Sequence, residues 1–263
     1  MRTKLVAGNW KMNNTTAQAA ALVKSFSERV VSRTDVDIVV CPAFVSLCRV
    51  KDLLKDSYIH IGAQDCFWEE SGAFTGKVSV PMLVDAGVSH CIVGHSETRG
   101  KFGKLEVPES TLPYFHETDE TVNLKLKALL FHALVPILCV GETASERNAG
   151  RTDEIIQSQL SKALAGFDSA ELYFLVIAYE PVWAIGTGQT CDSEEANRVC
   201  GMIRSFLAQK FDKEVADEIR ILYGGSVKAS NAKELFSQPE IDGGLVGGAS
   251  LDADEFSKIV TAA

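Results

Sequence analysis

The chain has 263 residues, of which 46% are hydrophobic and 23% are charged, a balance typical of ordinary globular proteins. This composition excludes a disordered chain, a collagen and a coiled coil. With 26 basic and 35 acidic residues the formal charge is −9, so no general positive field would attract nucleic acid or an anionic membrane.

Eight short apolar runs of strand length recur along the chain at fairly even spacing. They are continuous rather than alternating, which indicates parallel strands that are covered on both faces. The runs are Lys4–Trp10, Val36–Cys41, Ile59–Ala63, Ser89–Gly94, Val135–Val140, Leu172–Tyr179, Ile219–Tyr223 and Ile241–Val246.

Longer segments with helical spacing lie between these runs, most clearly Thr16–Ser32, Asp119–Leu134 and Asp192–Phe211. Strand and helix therefore alternate eight times, which predicts right-handed crossovers and a parallel sheet. Eight such units in about 250 residues have the size of a closed (β/α)8 TIM barrel. An open doubly wound sheet is the alternative, but no GxGxxG follows the first strand. We therefore expect one barrel domain over residues 1–263.

The seven cysteines are odd in number, and no CxxC pair occurs among them. No apolar run reaches the roughly 18 residues of a membrane span. The first ten residues, MRTKLVAGNW, lack the apolar region of a signal peptide. The expectation is a cytoplasmic protein with reduced thiols and no membrane partner.

Polar residues of candidate function follow several of the predicted strands, at the barrel end where reacting groups lie. Lys11 follows the first strand, between Trp10 and Met12, and could be held as a fixed cation. His95 follows the fourth strand and is predicted to open a short helix. A helix N-terminus disfavours the imidazolium, so the ring is expected to be neutral and able to donate a hydrogen bond.

Glu180 ends the sixth apolar run and is followed by Pro181. Apolar neighbours could desolvate this carboxylate and raise its pKa toward that of a useful base. The next segment, 184–188, combines apolar residues with two glycines. A stiff proline side, a flexible glycine side and apolar residues between them are the features of a lid that excludes water.

Glycine pairs follow the last two strands, in YGGSV and LVGGAS. In barrels of this class, backbone N–H groups at these two positions commonly hold a phosphate. Such a site would allow an acidic protein to bind an anion. A metal site has little support, because the chain has no HxxxH and no Cys–His cluster.

The strings GNWKMN, GAFTG, GHSETR, AYEPVWAIGTG, YGGSV and LVGGASL occur in this order along the chain. Together they make the chain closely similar to the triosephosphate isomerase family. The resemblance implies an intramolecular aldose–ketose isomerase of glycolysis and gluconeogenesis. It would interconvert dihydroxyacetone phosphate and glyceraldehyde 3-phosphate through an enediolate, with no cofactor and no metal.

The same resemblance implies residue roles, for which this family is the standard example of a carboxylate base paired with a neutral histidine. Glu180 is implied as the base, His95 as the electrophile and Lys11 as a fixed cation. Glu97 is implied as a supporting partner. Thr75 would cross a homodimer interface to brace the neighbouring active site. The implied substrate-binding residues are Asn9, Lys11, Gly186, Ser226, Gly247 and Gly248.

The chain departs from the family pattern at the implied interface. The family usually has two arginines after GHSE, and here Thr98 takes the first position. Its usual partner across the interface is a Glu after GAFTG, and here that position is Lys77. Asp65 also replaces the usual Asn. These changes concern the strength of the dimer more than the chemistry.

Residues 104–116 are predicted to be a surface insertion, because the family runs directly from FG to ETDE. Pro108 and Pro113 exclude one uninterrupted helix through this segment. We expect an exposed excursion without a catalytic group, in which Tyr114 and Phe115 could pin the far end to the barrel or to a partner subunit.

Two other functions are weighed against an active triosephosphate isomerase. A catalytically silent binding barrel would show a broken Lys, His or Glu position, and all three are intact. A barrel isomerase for a larger sugar phosphate should lack the AYEPVWAIGTG string.

Overall fold

Parallel strands close into an eight-stranded barrel, in sequence order, in a computed structural model that describes residues 2–104 and 107–263. The predicted (β/α)8 barrel is therefore confirmed. Each strand lies within one of the predicted apolar runs. The strands are β1 Leu5–Asn9, β2 Asp37–Cys41, β3 Ile59–Ala63, β4 His90–Val93, β5 Val135–Val140, β6 Val176–Tyr179, β7 Arg220–Tyr223 and β8 Gly243–Val246.

Helices cover the outside of the barrel in the described part of the chain. They are α1 Thr16–Val30, α2 Leu47–Leu54, α3 Val80–Asp85, α4 Asp119–Phe131, α5 Ala144–Asn148, α6 Thr152–Ala163, α7 Ser193–Lys210, α8 Lys213–Glu218, α9 Ala229–Phe236 and α10 Ala253–Thr261. Short 3-10 helices occupy Phe44–Ser46, Glu109–Tyr114, Ala170–Leu172, Val182–Ala184 and Gly248–Leu251.

Two apolar layers explain why the strands are continuously hydrophobic. Alternate strand residues such as Leu5, Val39 and Ile92 fill the barrel interior, whereas their neighbours pack against the helices. A glycine is needed where β8 closes on β1, since a Cβ at Gly243 would collide with the Leu5 carbonyl. The closed barrel brings the carboxyl ends of all the strands to one face.

The segment 104–116 leaves this face after β4. Its residues Leu105 and Glu106 lie outside the described residues. The described remainder forms the 3-10 helix Glu109–Tyr114, which contains Pro113. Phe115 packs edge-on against Phe102 at 5.4 Å between ring centroids, whereas Tyr114 is 86% exposed. Phe115 thus anchors the segment, whereas Tyr114 faces outward.

The cysteines of the described chain are all free thiols, and only Cys48 among them is exposed. Burial raises the pKa of the Cys41 thiol to about 12. In residues 2–104 and 107–263, no helix combines the length and the apolar character needed to cross a membrane. Most of the thiols therefore serve as small hydrophobic core residues.

His90 lies in the opposite mouth of the barrel, at the start of β4, and its burial gives the fold a pH-dependent stability. Burial, together with His60 and Arg220, lowers the pKa of His90 to about 3. The folded state therefore resists protonation, while the unfolded chain binds a proton below its ordinary pKa of about 6.5. Stability is present above pH 6.5 and is lost as the pH falls from 6.5 toward 3.

We expect the free energy of unfolding to fall by about 2 to 3 kcal/mol between pH 6.5 and pH 4.5 because of His90 alone. Urea unfolding at matched protein concentration would measure this loss in the parent and in His90→Leu. The variant should lose less stability than the parent over that interval. Equal pH dependence in the two proteins would contradict the assignment to His90.

Candidate active site

One cavity of about 320 Å³ opens at the carboxyl ends of the strands. It is lined by residues from both halves of the barrel, so distant parts of the sequence meet here. In the described part of the chain, no group of three or more His, Cys, Asp or Glu is arranged to hold a metal ion. The predicted site residues that line the cavity are Asn9, Lys11, His95, Gly186, Ser226, Gly247 and Gly248.

The backbone of Lys11 is held in an unusual conformation directly after β1. Its φ is +52°, in the left-handed region that lysine rarely adopts. The Lys11 amide donates to Asn9 Oδ1 at 3.0 Å. Gln64 Nε2 donates to the carbonyls of Lys11 and Cys41, each at 2.9 Å. The sequence analysis missed Gln64, whose only signal is its position directly after β3.

The Lys11 ammonium is fixed at its other end by Glu97. Lys11 Nζ lies 2.5 Å from Glu97 Oε1, and both side chains are partly exposed. A charge-assisted hydrogen bond of this kind holds a long side chain in one place. The supporting role suggested for Glu97 stays a prediction, and the structure shows its contact with Lys11.

His95 opens a hydrogen-bonded turn and not the predicted short helix. Its carbonyl accepts from the amides of Thr98 at 3.0 Å and Arg99 at 3.2 Å, and residues 96–100 form turns rather than a helix. The Glu97 amide donates to His95 Nδ1 at 3.2 Å, so the ring proton lies on Nε2. His95 Nε2 is 2.9 Å from Glu180 Oε1. The ring is therefore oriented by the Glu97 amide on one side and by the Glu180 carboxylate on the other.

The pKa of His95 differs from the sequence-based expectation while Glu180 is its neighbour. Burial lowers this pKa, but the Glu180 carboxylate and, to a lesser extent, Glu97 raise it, and the result is a pKa above the usual value. The predicted helix N-terminus is absent here and so does not set this pKa, while the neutral ring itself stays a prediction. Only when Glu180 moves away does burial dominate and favour the neutral ring.

Glu180 is withdrawn from the cavity, with only 2% of its surface exposed. Besides His95, its carboxylate accepts from the Ser96 amide, at 3.0 Å to Oε2. Burial raises the pKa of Glu180, but the opposing effects of His95, the Ser96 amide and Lys11 are larger. The pKa of Glu180 is therefore below its ordinary value, and the carboxylate is a weak base here. In this position the carboxylate does not line the cavity.

Glycines allow the backbone around Glu180 to pack closely. A Cβ at Gly141 would collide with the Glu180 carbonyl oxygen, and a Cβ at Gly224 would lie 3.0 Å from Glu180 Cγ. The Glu180 amide donates to the Val140 carbonyl at 2.8 Å. The end of β6 is thus closely packed between β5 and β7.

The segment directly before the predicted lid, residues 184–188, is attached to a buried carboxylate, Glu142, that the sequence analysis missed. Trp183 Nε1 donates to Glu142 Oε1 at 2.8 Å, and the Tyr179 hydroxyl donates to the same oxygen at 3.2 Å. Burial raises the pKa of Glu142. The Arg147 guanidinium stacks on the Trp183 ring at 4.0 Å. The only sequence signal of Glu142 is its place two residues after the end of β5.

The far side of the cavity is kept open by glycines. A Cβ at Gly248 would meet nothing within 4 Å, and one at Gly247 would lie 3.5 Å from Lys11 Cε. Packing therefore does not require glycine at these positions. Ser226 Oγ donates to the Ala184 carbonyl at 3.2 Å and links this side to the lid. The space suits a ligand group that approaches the backbone.

Thr75 is not part of this cavity. It lies in an exposed loop, residues 69–77, that follows β3 and projects from the barrel. The cavity therefore contains the predicted catalytic and substrate-binding residues, with Glu180 behind it, while Thr75 contacts none of them within the chain.

Comparison with known proteins agrees with this geometry. A family model described as triosephosphate isomerase matches residues 4–263. The triosephosphate isomerase of Geobacter metallireducens is 49% identical over 260 residues, covering 99% of this chain and 98% of that protein. That of Carboxydothermus hydrogenoformans is 47% identical over 260 residues, with 99% and 98% covered. The similarity extends over the whole barrel.

Proposed function

The chain belongs to the triosephosphate isomerase family, and from that premise we propose how its residues interconvert dihydroxyacetone phosphate and glyceraldehyde 3-phosphate. This interconversion is the glycolytic reaction of the family. The observation that carries the residue assignment is one cavity that holds Lys11, His95 and the glycine-lined space, with Glu180 directly behind it. The two substrates differ only in the position of one carbonyl, so the chemistry is proton transfer.

Substrate binding begins with the phosphate. We assign it to the space beside Gly247 and Gly248, near Ser226 and Gly186, where the open glycine positions allow a phosphate to approach the backbone. The Lys11 ammonium lies close to this space, since its Cε is 3.5 Å from the Cβ position of Gly247. Binding energy from the phosphate is remote from the reacting carbons and can support the orientation of the rest of the substrate.

Glu180 then acts as the base. Turning into the cavity removes it from His95 and the Ser96 amide, which both lower its pKa, while burial by the closed lid remains. Its pKa therefore rises on turning, and the carboxylate becomes a stronger base at the moment when a carbon-bound proton lies before it. The proton is returned to the neighbouring carbon to complete the isomerisation.

Removal of that proton leaves an enediolate, whose oxygen charge needs nearby donors. Lys11 Nζ and His95 Nε2 are the donors that this cavity offers. His95 loses the carboxylate that raised its pKa, so burial favours the neutral ring with its proton on Nε2. A neutral imidazole stabilises the enediolate by donating a hydrogen bond, without complete transfer of its proton.

The lid completes the site by excluding water. Its backbone bends at Gly186, with φ of +69°, and at Gly188, with φ of +81°. Trp183, held by the carboxylate of Glu142, anchors the chain directly before the lid. Exclusion of water protects the enediolate phosphate, which could otherwise eliminate its phosphate group.

A coupled assay of the purified protein with glyceraldehyde 3-phosphate tests the activity directly. Robust turnover in both directions is the expected result. A folded protein without turnover that still binds triose phosphates would instead favour a silent binding barrel. The intact Lys11, His95 and Glu180 positions argue against that alternative.

The phosphate assignment makes a separate prediction. Gly248→Val should weaken substrate and inorganic phosphate together, by about tenfold or more, because its side chain would fill the space reserved for the dianion. Thermal stability should change little, because a Cβ there meets nothing within 4 Å. Calorimetric titration with phosphate measures the effect. Unchanged phosphate affinity in the folded variant would contradict this site.

A homodimer through the loop that contains Thr75 is also proposed. Large hydrophobic side chains are exposed on the loops after β1 to β4 and on the neighbouring α3, a patch that a monomer rarely leaves uncovered. Met12 beside Lys11 is 97% exposed, and Val45 is 79% exposed. The other members of this patch are Phe44, Phe74, Met82 and Tyr114. A second copy would cover them and bring Thr75 to the neighbouring active site.

We further propose that the protein is cytoplasmic and that residues 104–116 supply no catalytic group. Free thiols at all seven cysteines support a reducing compartment. The described part of 104–116 lies beside a second groove and not along the catalytic cavity, which supports the second proposal.

A further inference from the structure

Gly103, the residue directly before the 104–116 segment, packs against the chain that forms the lid. A Cβ at Gly103 would collide with the carbonyl oxygens of Val182 and Ile185, and it would lie 3.1 Å from Thr187 Cγ2. Ile185 and Thr187 belong to the lid, and Val182 lies shortly before it. Two backbones approach each other this closely only where a side chain is absent. The position of Gly103 therefore limits where the lid can lie.

The far end of the 104–116 segment packs against the same short stretch of chain, residues 100–103. Phe115 lies edge-on to Phe102, with 5.4 Å between the ring centroids. A Cβ at Gly100 would lie 3.2 Å from the Phe115 carbonyl oxygen and 3.3 Å from Phe115 Cβ. The segment thus contacts, through Phe115, the stretch whose last residue contacts the lid.

Hydrogen bonds hold the first half of this stretch but not the second half. The Lys101 amide donates to the Ser96 carbonyl at 2.9 Å. In contrast, Phe102 and Gly103 make no hydrogen bond within residues 2–104 and 107–263. The Phe102 side chain is partly buried, and its ring packs on Phe115. This aromatic contact is therefore the interaction, apart from the lid itself, that fixes Gly103 in place.

We propose that Phe115 is a positioning residue for the lid, and that it acts through Phe102 and Gly103. The inference rests on the proposed function, in which the lid protects the enediolate phosphate from water. Phe115 lies in the segment that the family pattern lacks between FG and ETDE, so this support of the lid is a feature of this chain. The segment itself supplies no catalytic group.

Weaker support of the lid has a chemical signature. A lid that is held less firmly loses more conformational freedom when it closes, so it excludes water less completely. In an exposed enediolate phosphate, the electron pair of the enediolate forms a new C=C bond while the C–O bond to the phosphate breaks. Inorganic phosphate leaves with the electrons of that bond, and the remaining enol tautomerises to 2-oxopropanal. The ratio of 2-oxopropanal formed to triose phosphate isomerised therefore reports on the lid.

Phe115→Leu removes the aromatic contact but keeps an apolar side chain. We expect the ratio of 2-oxopropanal to isomerised product to rise about three- to tenfold, with a fall in kcat/KM, because an edge-on aromatic pair contributes on that order. Phe115→Tyr keeps the ring and should behave as the parent does. Phe167→Leu is the matched control, since Phe167 is also partly buried and packs against the core after α6. It should leave the ratio unchanged even where it lowers the melting temperature.

A double-mutant cycle tests the route through Phe102. In a Phe102→Leu background, Phe115→Leu should change the ratio by less than about twofold, because the contact is already lost. A rise of the same size in both backgrounds would overturn this route. Phe115 also lines the second groove, so sedimentation velocity at the assay concentration must show the same oligomeric state for the proteins that are compared.

Hydrogen exchange gives a readout that needs no turnover. The Ala184 and Ile185 amides donate to carbonyls three residues earlier, at 2.8 Å and 3.1 Å, which slows their exchange. They should exchange faster in Phe115→Leu than in the parent, and Phe167→Leu should not change them. Equal exchange in Phe115→Leu and the parent would overturn the inference. A parent without isomerase turnover would remove the proposed function, while the exchange rates would still decide whether Phe115 positions the lid.

Discussion

Replacement of Glu180 by Gln is expected to lower kcat by about a thousandfold or more, because general base catalysis contributes on the order of 10² to 10⁴. The amide keeps the size of the side chain and can still accept from the Ser96 amide, so the fold should survive. Only the ability to take the proton is lost. The coupled assay, with circular dichroism and thermal unfolding as checks on folding, measures the effect.

Glu180→Asp is the graded companion of this variant. It keeps the carboxylate but withdraws it by about 1 Å, a displacement that can cost about a hundredfold in rate. The predicted order of kcat is therefore parent, Asp variant, Gln variant. Normal turnover by a folded Glu180→Gln protein would remove Glu180 from the role of base.

The Glu180→Gln variant also has a readout at His95 that does not depend on turnover. Loss of the Glu180 charge removes the main influence that raises the His95 pKa, while burial continues to lower it. The pKa of His95 should therefore be lower in Glu180→Gln than in the parent. A histidine NMR titration measures it, and an unchanged value would show that the two side chains are not neighbours in solution.

The strand pattern could be predicted because its physical cause is local and repeated. Strands buried on both faces need consecutive apolar residues, as in Val135–Val140, where the predicted and observed limits coincide. The sixth strand shows where this signal fails. Leu172 is apolar and 1% exposed, but it belongs to the 3-10 helix Ala170–Leu172, and β6 begins only at Val176. Hydrophobicity reports burial and does not separate a buried strand from a buried turn.

The cavity residues could be predicted because barrel topology brings all strand ends together. Gln64 and Glu142 also follow strands, but a single polar residue in that place is usually a solvated one. Gln64 contacts Lys11 and Glu142 contacts Trp183, and in each pair the two residues are far apart in the sequence. The turn at His95 failed to become a helix for a reason that is also non-local. The Thr98 carbonyl, which a helix would use within the next turn, instead accepts from the Glu117 amide at 3.2 Å, 19 residues further on.

Replacement of Lys11 by Met is expected to lower kcat/KM by about a hundredfold to a thousandfold. Loss of one preorganised donor to a developing oxyanion costs on that order. Met keeps the length of the side chain, but it leaves Glu97 without its cation and the enediolate with His95 alone. Substrate affinity should also fall, because the ammonium lies beside the glycine-lined phosphate space.

Substitution of Gln64 tests whether the fixed position of Lys11 contributes to catalysis in addition to its charge. Gln64→Leu removes the two hydrogen bonds to the Lys11 and Cys41 carbonyls, and the strained φ of +52° loses one of its supports. A displacement of about 1 Å at the ammonium would cost up to about a hundredfold in kcat/KM. In the Lys11→Met background the same substitution should cost less than about twofold, because no ammonium remains to be misplaced. An equal loss in both backgrounds, at unchanged dimer affinity, would show that Gln64 stabilises the barrel without positioning Lys11.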